Sequence, residues 1–157
     1  MGASLYGDWS RAGIVLRNLA TKLKPIAQAK LYEDGQVVLE TMKNHITNQD
    51  LNWTPLAPST VRAKKGDKTI YVETGELQNG LTVRKVKSSA DSITYFVGAS
   101  PWKKHKRSGL KYSDLMIYLE YGTSKIPPRP LIQPTYEEVK NDIQKSWRDT
   151  LSDIIGG

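Results

Sequence analysis

At 157 residues the chain has room for one compact domain, taken as residues 1–157, and not for two of ordinary size. Apolar residues supply 38%, enough for a modest core, so part of the surface is expected to be covered only in an assembly. The net charge of +7 points to an acidic partner (nucleic acid, a membrane surface or an acidic protein), and the absence of cysteine excludes a disulfide framework and any thiolate metal site.

No apolar run approaches the roughly 20 residues that span a bilayer, so a membrane partner is not expected. Residues 1–9 lack the basic start and apolar stretch of a secretory signal, and a soluble intracellular product is expected. Trp9, Ala12, Leu16, Leu19 and Leu23 fall at steps of three and four, which predicts a first helix with Asp8 as its N-cap. Lys22, Lys24 and Pro25 predict its end, because the residue before proline avoids helical geometry. Leu31, Val38, Met42 and Ile46 share the face of a second helix, whose main part is expected to start at Gly35 with Asp34 before it.

Between residues 48 and 68, Pro55 and Pro58 interrupt the pattern, and residues 59–65 suit a helical turn or two capped by Ser59. Leu81 and Val83, then Ile93, Tyr95 and Val97, alternate with polar neighbours; with a turn at 88–91 they predict an antiparallel hairpin buried on one face. Residues 69–73 are a shorter extended piece, expected to pair with that hairpin. Residues 102–112 read as a loop. Residues 114–121 are short and apolar, suiting helix or strand, and end at Gly122. Pro127, Pro128 and Pro130 hold an extended arm. Tyr136, Val139, Ile143, Trp147, Leu151 and Ile154 form the stripe of a long C-terminal helix, opened by a Thr135–Glu138 capping box and closed by Gly156 and Gly157. The order gives an α+β class: N-terminal helices, a small antiparallel sheet with a central hairpin, and a long C-terminal helix.

No catalytic constellation assembles, so no catalytic, cofactor-binding or metal-ligating residue is assigned and the chain is read as a non-enzyme. His45 lies near the apolar face of its helix, which suits a boundary or core histidine; His105 sits among lysines and reads as a solvated loop residue. Glu73 and Glu76 flank Thr74-Gly75, where a carboxylate pair could serve acid–base chemistry but exposed glutamates at a turn are ordinary. Gly66, Gly75 and Gly80 follow no phosphate-loop spacing and read as turns. The sharpest local signal is residues 102–112. Lys103, Lys104, Lys106, Arg107 and Lys111 place five cations there without an acid, between Trp102 and Tyr112. Such a loop suits a solvated connection, an acidic neighbouring protein, or DNA contacted through phosphates and base stacking. The alternative function is therefore a basic nucleic-acid-binding module acting through this loop.

Three stretches, in order, resemble the tail-completion proteins of tailed bacteriophages, also called neck, minor tail or virion-morphogenesis proteins. The first is Trp53, Pro55 and Leu56, followed by Pro58-Ser59-Thr60 and a lysine-rich turn. The second is Thr74, Gly75 and Leu77. The third is Tyr121, Gly122 and Thr123, then Pro127, Arg129, Pro130 and Leu131. The similarity spans roughly residues 52–147; Leu131 stands where that family usually has phenylalanine, and the basic loop is longer than is usual there.

The resemblance implies a structural virion protein made in the bacterial cytoplasm. It would work without cofactor in a homo-oligomeric ring, commonly hexameric, at the head–tail junction or the top of the tail. The implied partners are copies of itself, the connector or adaptor, the tail-tube or tail-terminator proteins, and genomic DNA in the channel. Read physically, Trp53, Pro55 and Leu56 suit the edge of a sheet, and Gly75 and Gly122 suit turns. Arg129 is expected on a stiff exposed arm, free to pair with a carboxylate on a neighbour, so that Arg129→Glu would spare folding and block assembly.

Overall fold

The computed structural model describes residues 9–89, 92–106 and 108–156. The expected cap Asp8, the second half of the 88–91 turn, Arg107 and Gly157 lie outside them, as do the side chains of Trp9, Ala12 and Leu16 in the first stripe.

One helix, α1 (Trp9–Asn48), replaces the two expected helices and carries Pro25 inside it. Proline costs α1 a single hydrogen bond, to the carbonyl of Thr21, and both residues are exposed, so solvent can take that acceptor. Asp34 and Gly35 are interior positions, not a helix start. The Asp34 carboxylate is 7% exposed and accepts from Trp147 Nε1 at 2.6 Å and from Lys30 Nζ at 2.7 Å. A Cβ on Gly35 would lie 2.7 Å from Val83 Cγ1, so this glycine exists to let the hairpin sit on the helix backbone.

α2 (Pro58–Ala63) begins with proline at its first turn and Ala57 as its cap residue, without the side-chain cap expected from Ser59. Residues 69–73 do not join the sheet. Their backbone finds another partner, because Gln49 accepts from Ile70 N at 2.8 Å and donates to Ile70 O at 3.0 Å. One side-chain amide thus does what a strand neighbour would. A single turn, α3 (Glu76–Asn79), follows Gly75, whose φ of 75° only glycine adopts cheaply.

The hairpin is as expected. β1 (Leu81–Ser88) pairs antiparallel with β2 (Ile93–Ala99), from Leu81 opposite Ala99 to Ser88 opposite Ile93. A bulge between Lys85 and Lys87 leaves Val86 over half exposed. The 114–121 ambiguity resolves as helix: α4 (Tyr112–Tyr121) buries Tyr112, Met116 and Glu120 and stops at Gly122, φ 74°. Helical spacing of those three residues defines one buried face.

α5 (Ile132–Gly156) starts ahead of the expected capping box. Thr135 is buried within the helix and donates back to Leu131 O at 2.7 Å. The cap comes from α4: the Glu120 carboxylate accepts the N–H groups of Leu131, Ile132 and Gln133 at 2.7, 2.9 and 3.0 Å. A carboxylate at a helix N-terminus satisfies orphan donors and opposes the helix dipole. α5 runs antiparallel to α1, with Glu138 beside His45 (3.2 Å) and Trp147 beside Asp34. The core forms where the C-terminal half of α1, the hairpin base, α4 and Leu131 meet, around Met42, Ile46, Leu81 and Met116. The architecture is α+β, and no helix among the described residues is long and apolar enough to cross a membrane.

Candidate functional site

The first and third motif stretches, distant in sequence, meet at Arg129, and the second lines the groove beside it. Arg129 Nε donates to Thr54 O at 2.7 Å and its Nη2 to Pro55 O at 3.0 Å. Its own carbonyl accepts from the Tyr71 hydroxyl at 2.6 Å, and its N–H donates to Leu119 O at 2.6 Å. The next carbonyl, Pro130, accepts from Trp53 Nε1 at 2.6 Å, and the Trp53 and Tyr71 rings lie 5.0 Å apart. Arg129 is only 4% exposed. The expectation of a free arm reaching for a neighbour's carboxylate is therefore corrected: proline fixes the segment, but the guanidinium turns inward onto two backbone carbonyls. Each such bond to a charged donor contributes about 1.5–3 kcal/mol. Arg129→Glu would put a carboxylate against those carbonyls, which makes it a folding variant.

Burial sets the acid–base character of this corner. Burial pushes the Tyr71 hydroxyl above the ordinary tyrosine range, nearby Glu120 adds to the shift and Arg129 opposes it. Burial also lowers the pKa of Arg129, with Tyr71 opposing. Tyr71 thus stays a protonated donor at neutral pH.

Beside the corner lies an apolar groove of about 390 Å³. Pro55, Leu56, Val72, Leu77, Leu115, Leu119, Ile126 and Pro127 supply its walls, with Tyr71 and Arg129 among the lining. Of the other motif residues, Thr74 also lines it. Trp53 stands behind as core, and Gly75 and Gly122 shape turns at its ends. Thr123 folds the 123–126 turn, its Oγ1 accepting from the N–H of Lys125 and Ile126. Tyr121 is 79% exposed and takes no part in the groove.

The 102–112 loop is tied to the groove's rim at His105 and Lys106, while most of its residues stay exposed. Lys104 and Lys111 bridge antiparallel, and His105 N donates to Leu110 O at 2.8 Å. His105, expected in solvent, places Nε2 3.0 Å from Glu73 Oε2 and lines the groove. Lys106 lies 2.6 Å from Glu76, which also accepts from the Tyr112 hydroxyl at 2.8 Å. Lys106 and then Tyr112 hold the Glu76 carboxyl below its usual range, and burial, then Glu76, push Tyr112 up to about 12. The two glutamates considered for acid–base work thus partner the basic loop. Lys103, Lys104 and Lys111 are exposed, Trp102 is 81% exposed, and Arg107 lies outside the described residues.

His45 is 6% exposed, between Asp50 at 2.8 Å and Glu138 at 3.2 Å, the boundary position its helix face suggests. Among the described residues no cluster of three potential ligands could hold a metal. The chemistry on offer at the groove is binding, through apolar walls and a polar rim whose Tyr71 and Tyr112 hydroxyls already donate to Arg129 O and Glu76. Sequence reasoning missed Tyr71 and Glu120. A lone carboxylate in the otherwise apolar run 115–121 was the available signal for the second; nothing in sequence marked the first. The chain finds no match among protein-family models, characterised proteins or solved structures.

Proposed function

We propose that the chain is a structural subunit of a tailed-phage particle, of the tail-completion or neck kind, acting as one copy in a ring at the head–tail junction or the tail end. What supports this reading is the meeting of two of the three stretches that resemble that family: hydrogen bonds join the first to the third across 75 and 77 positions, and the second lines the groove beside them. Residues that join distant parts of a chain in this way serve as a fold signature, and that is the support they lend. Mechanism here is assembly. The corner makes a rigid wedge of α4, the proline segment and α5, and the groove and the exposed helices around it offer surfaces to neighbours.

The test is a nonsense mutation in this gene in the parent phage, read by electron microscopy of lysates. Filled heads beside detached tails, or tails of abnormal length, are expected. Normal, infectious virions without the product would overturn the reading.

A further inference from the structure

Residues 103–105 and 110–112 meet as a short antiparallel ribbon, with His105 N donating to Leu110 O at 2.8 Å and Tyr112 N to Lys103 O at 3.0 Å. Lys104 and Lys111 face each other between those two bonds. In a pair of this kind, which exchanges no bonds of its own, the side chains share one face, with Cβ atoms about 5 Å apart. His105 and Tyr112, the next residue along each side, turn to the opposite face and meet Glu73 and Glu76 there. Lys106 takes the other oxygen of Glu76. The outer face is left to Lys104 and Lys111. Both are exposed, and neither ammonium group has a bonding partner among the described residues. Like charges directly opposite destabilise a ribbon, so this pair calls for an anion.

Trp102 stands two residues before Lys104, within about 7 Å along the chain. It is 81% exposed, and its ring meets no other ring and no cation among the described residues. Lys103, exposed between the two, adds to the local positive potential. A bare indole beside a pair of cations offers a stacking surface and charge together, on a ribbon whose shape backbone hydrogen bonds hold.

We propose that this ribbon is a binding site for single-stranded nucleic acid, with Lys104 and Lys111 holding its phosphates and a base stacked on Trp102. The cations of the pair are lysines, compact point charges that suit phosphate, whereas the fork of arginine is the better match for a carboxylate on a protein partner. Every base has a flat face for an indole, and a single strand leaves that face free where a duplex hides it in its own stack. A phosphate between the two ammonium groups also removes their repulsion, so the strain of the free ribbon favours the bound state. The site belongs to one subunit and does not rest on the ring reading.

The test is fluorescence anisotropy of a short labelled oligothymidylate titrated with the full chain over a range of salt. The wild-type chain is expected to bind in low salt and to lose affinity as salt rises. Trp102→Ala should bind about tenfold more weakly, and Trp102→Phe, which keeps a ring, close to the wild type. Lys104→Gln with Lys111→Gln should flatten the slope of log affinity against log salt by about 1.4, from two phosphate contacts on a single strand. This variant should melt no lower than the wild type, because no bond is lost. Lys87→Gln with Lys145→Gln removes the same charge from the hairpin and α5, and should leave binding nearly unchanged. No binding in low salt, patch variants that bind like the wild type, or a control pair that weakens binding as much as the patch pair would overturn the proposal. So would a duplex bound as tightly as the single strand with Trp102→Ala without effect. Displacement of the oligonucleotide by poly-glutamate at equal charge would also overturn it, and would assign the ribbon to an acidic protein.

Discussion

The two halves of α1 belong to one unbroken helix and live in opposite surroundings. Asp34, Gly35, Leu39, Met42, His45 and Ile46 are buried against the hairpin, α4 and α5. From residue 10 to residue 33 no described side chain is buried. Backbone hydrogen bonding is common to both halves, so helicity alone does not tell a core element from an arm; side-chain cover does. Most helical stability in proteins comes from packing one face, and among the described residues only the second half of α1 buries side chains fully.

The comparison breaks most visibly at matched truncations. Met42→Ala removes a side chain that is 2% exposed and should cost about 3 kcal/mol, whereas Leu23→Ala, on the half-covered stretch, should cost about 1 kcal/mol or less. Urea unfolding of both variants in high salt measures this, and equal losses would mean that the arm is packed as tightly as the core. The two glycines sharpen the contrast. Gly35→Ala gains helix propensity but drives a methyl group against Val83, for a net loss of about 1 kcal/mol. Gly13→Ala meets open space and should stabilise by up to about 1 kcal/mol, so thermal melting should shift the two variants in opposite directions.

A smaller effect comes from the corner that α1's buried half supports. The Tyr71 hydroxyl has a folded-state pKa raised above that of the unfolded chain, so its contribution is fully present below about pH 10. As pH rises past that value the unfolded chain loses its proton first and stability falls. Tyr71→Phe should unfold more readily at neutral pH, through the lost bond to Arg129 O, and show a flatter decline above about pH 10. An unchanged alkaline slope in chemical denaturation would place the hydroxyl in solvent.

The hairpin and the C-terminal helix were legible because their apolar residues repeat at the period of the element that buries them. Leu81, Val83, Ile93, Tyr95 and Val97 alternate, and Val139, Ile143 and Trp147 step by four. Local signals misled wherever a distant partner outranked them. Pro25 and Gly35 read as breaks, yet α1 continues through both. Thr135 and Glu138 have the spacing of a capping box, yet Glu120 caps α5 from another helix. Residues 69–73 look like a strand, yet the Gln49 side chain takes both backbone hydrogen bonds of Ile70. At the candidate site, residue types were legible and directions were not: Arg129 was marked, but its inward turn was not.

The sequence by itself determined the α+β class, the apolar face of the hairpin, the long amphipathic C-terminal helix and the end of α4 at Gly122. Each follows from periodicity or from a residue whose backbone allows only certain turns, properties that act over a few positions. Tertiary structure alone decided that the first two helices are one, that Glu73 and Glu76 hold the basic loop at His105 and Lys106, and that Arg129 clamps the chain from within. Those outcomes depend on which groups meet across dozens of residues, where a buried donor takes the best acceptor in reach rather than the nearest in sequence.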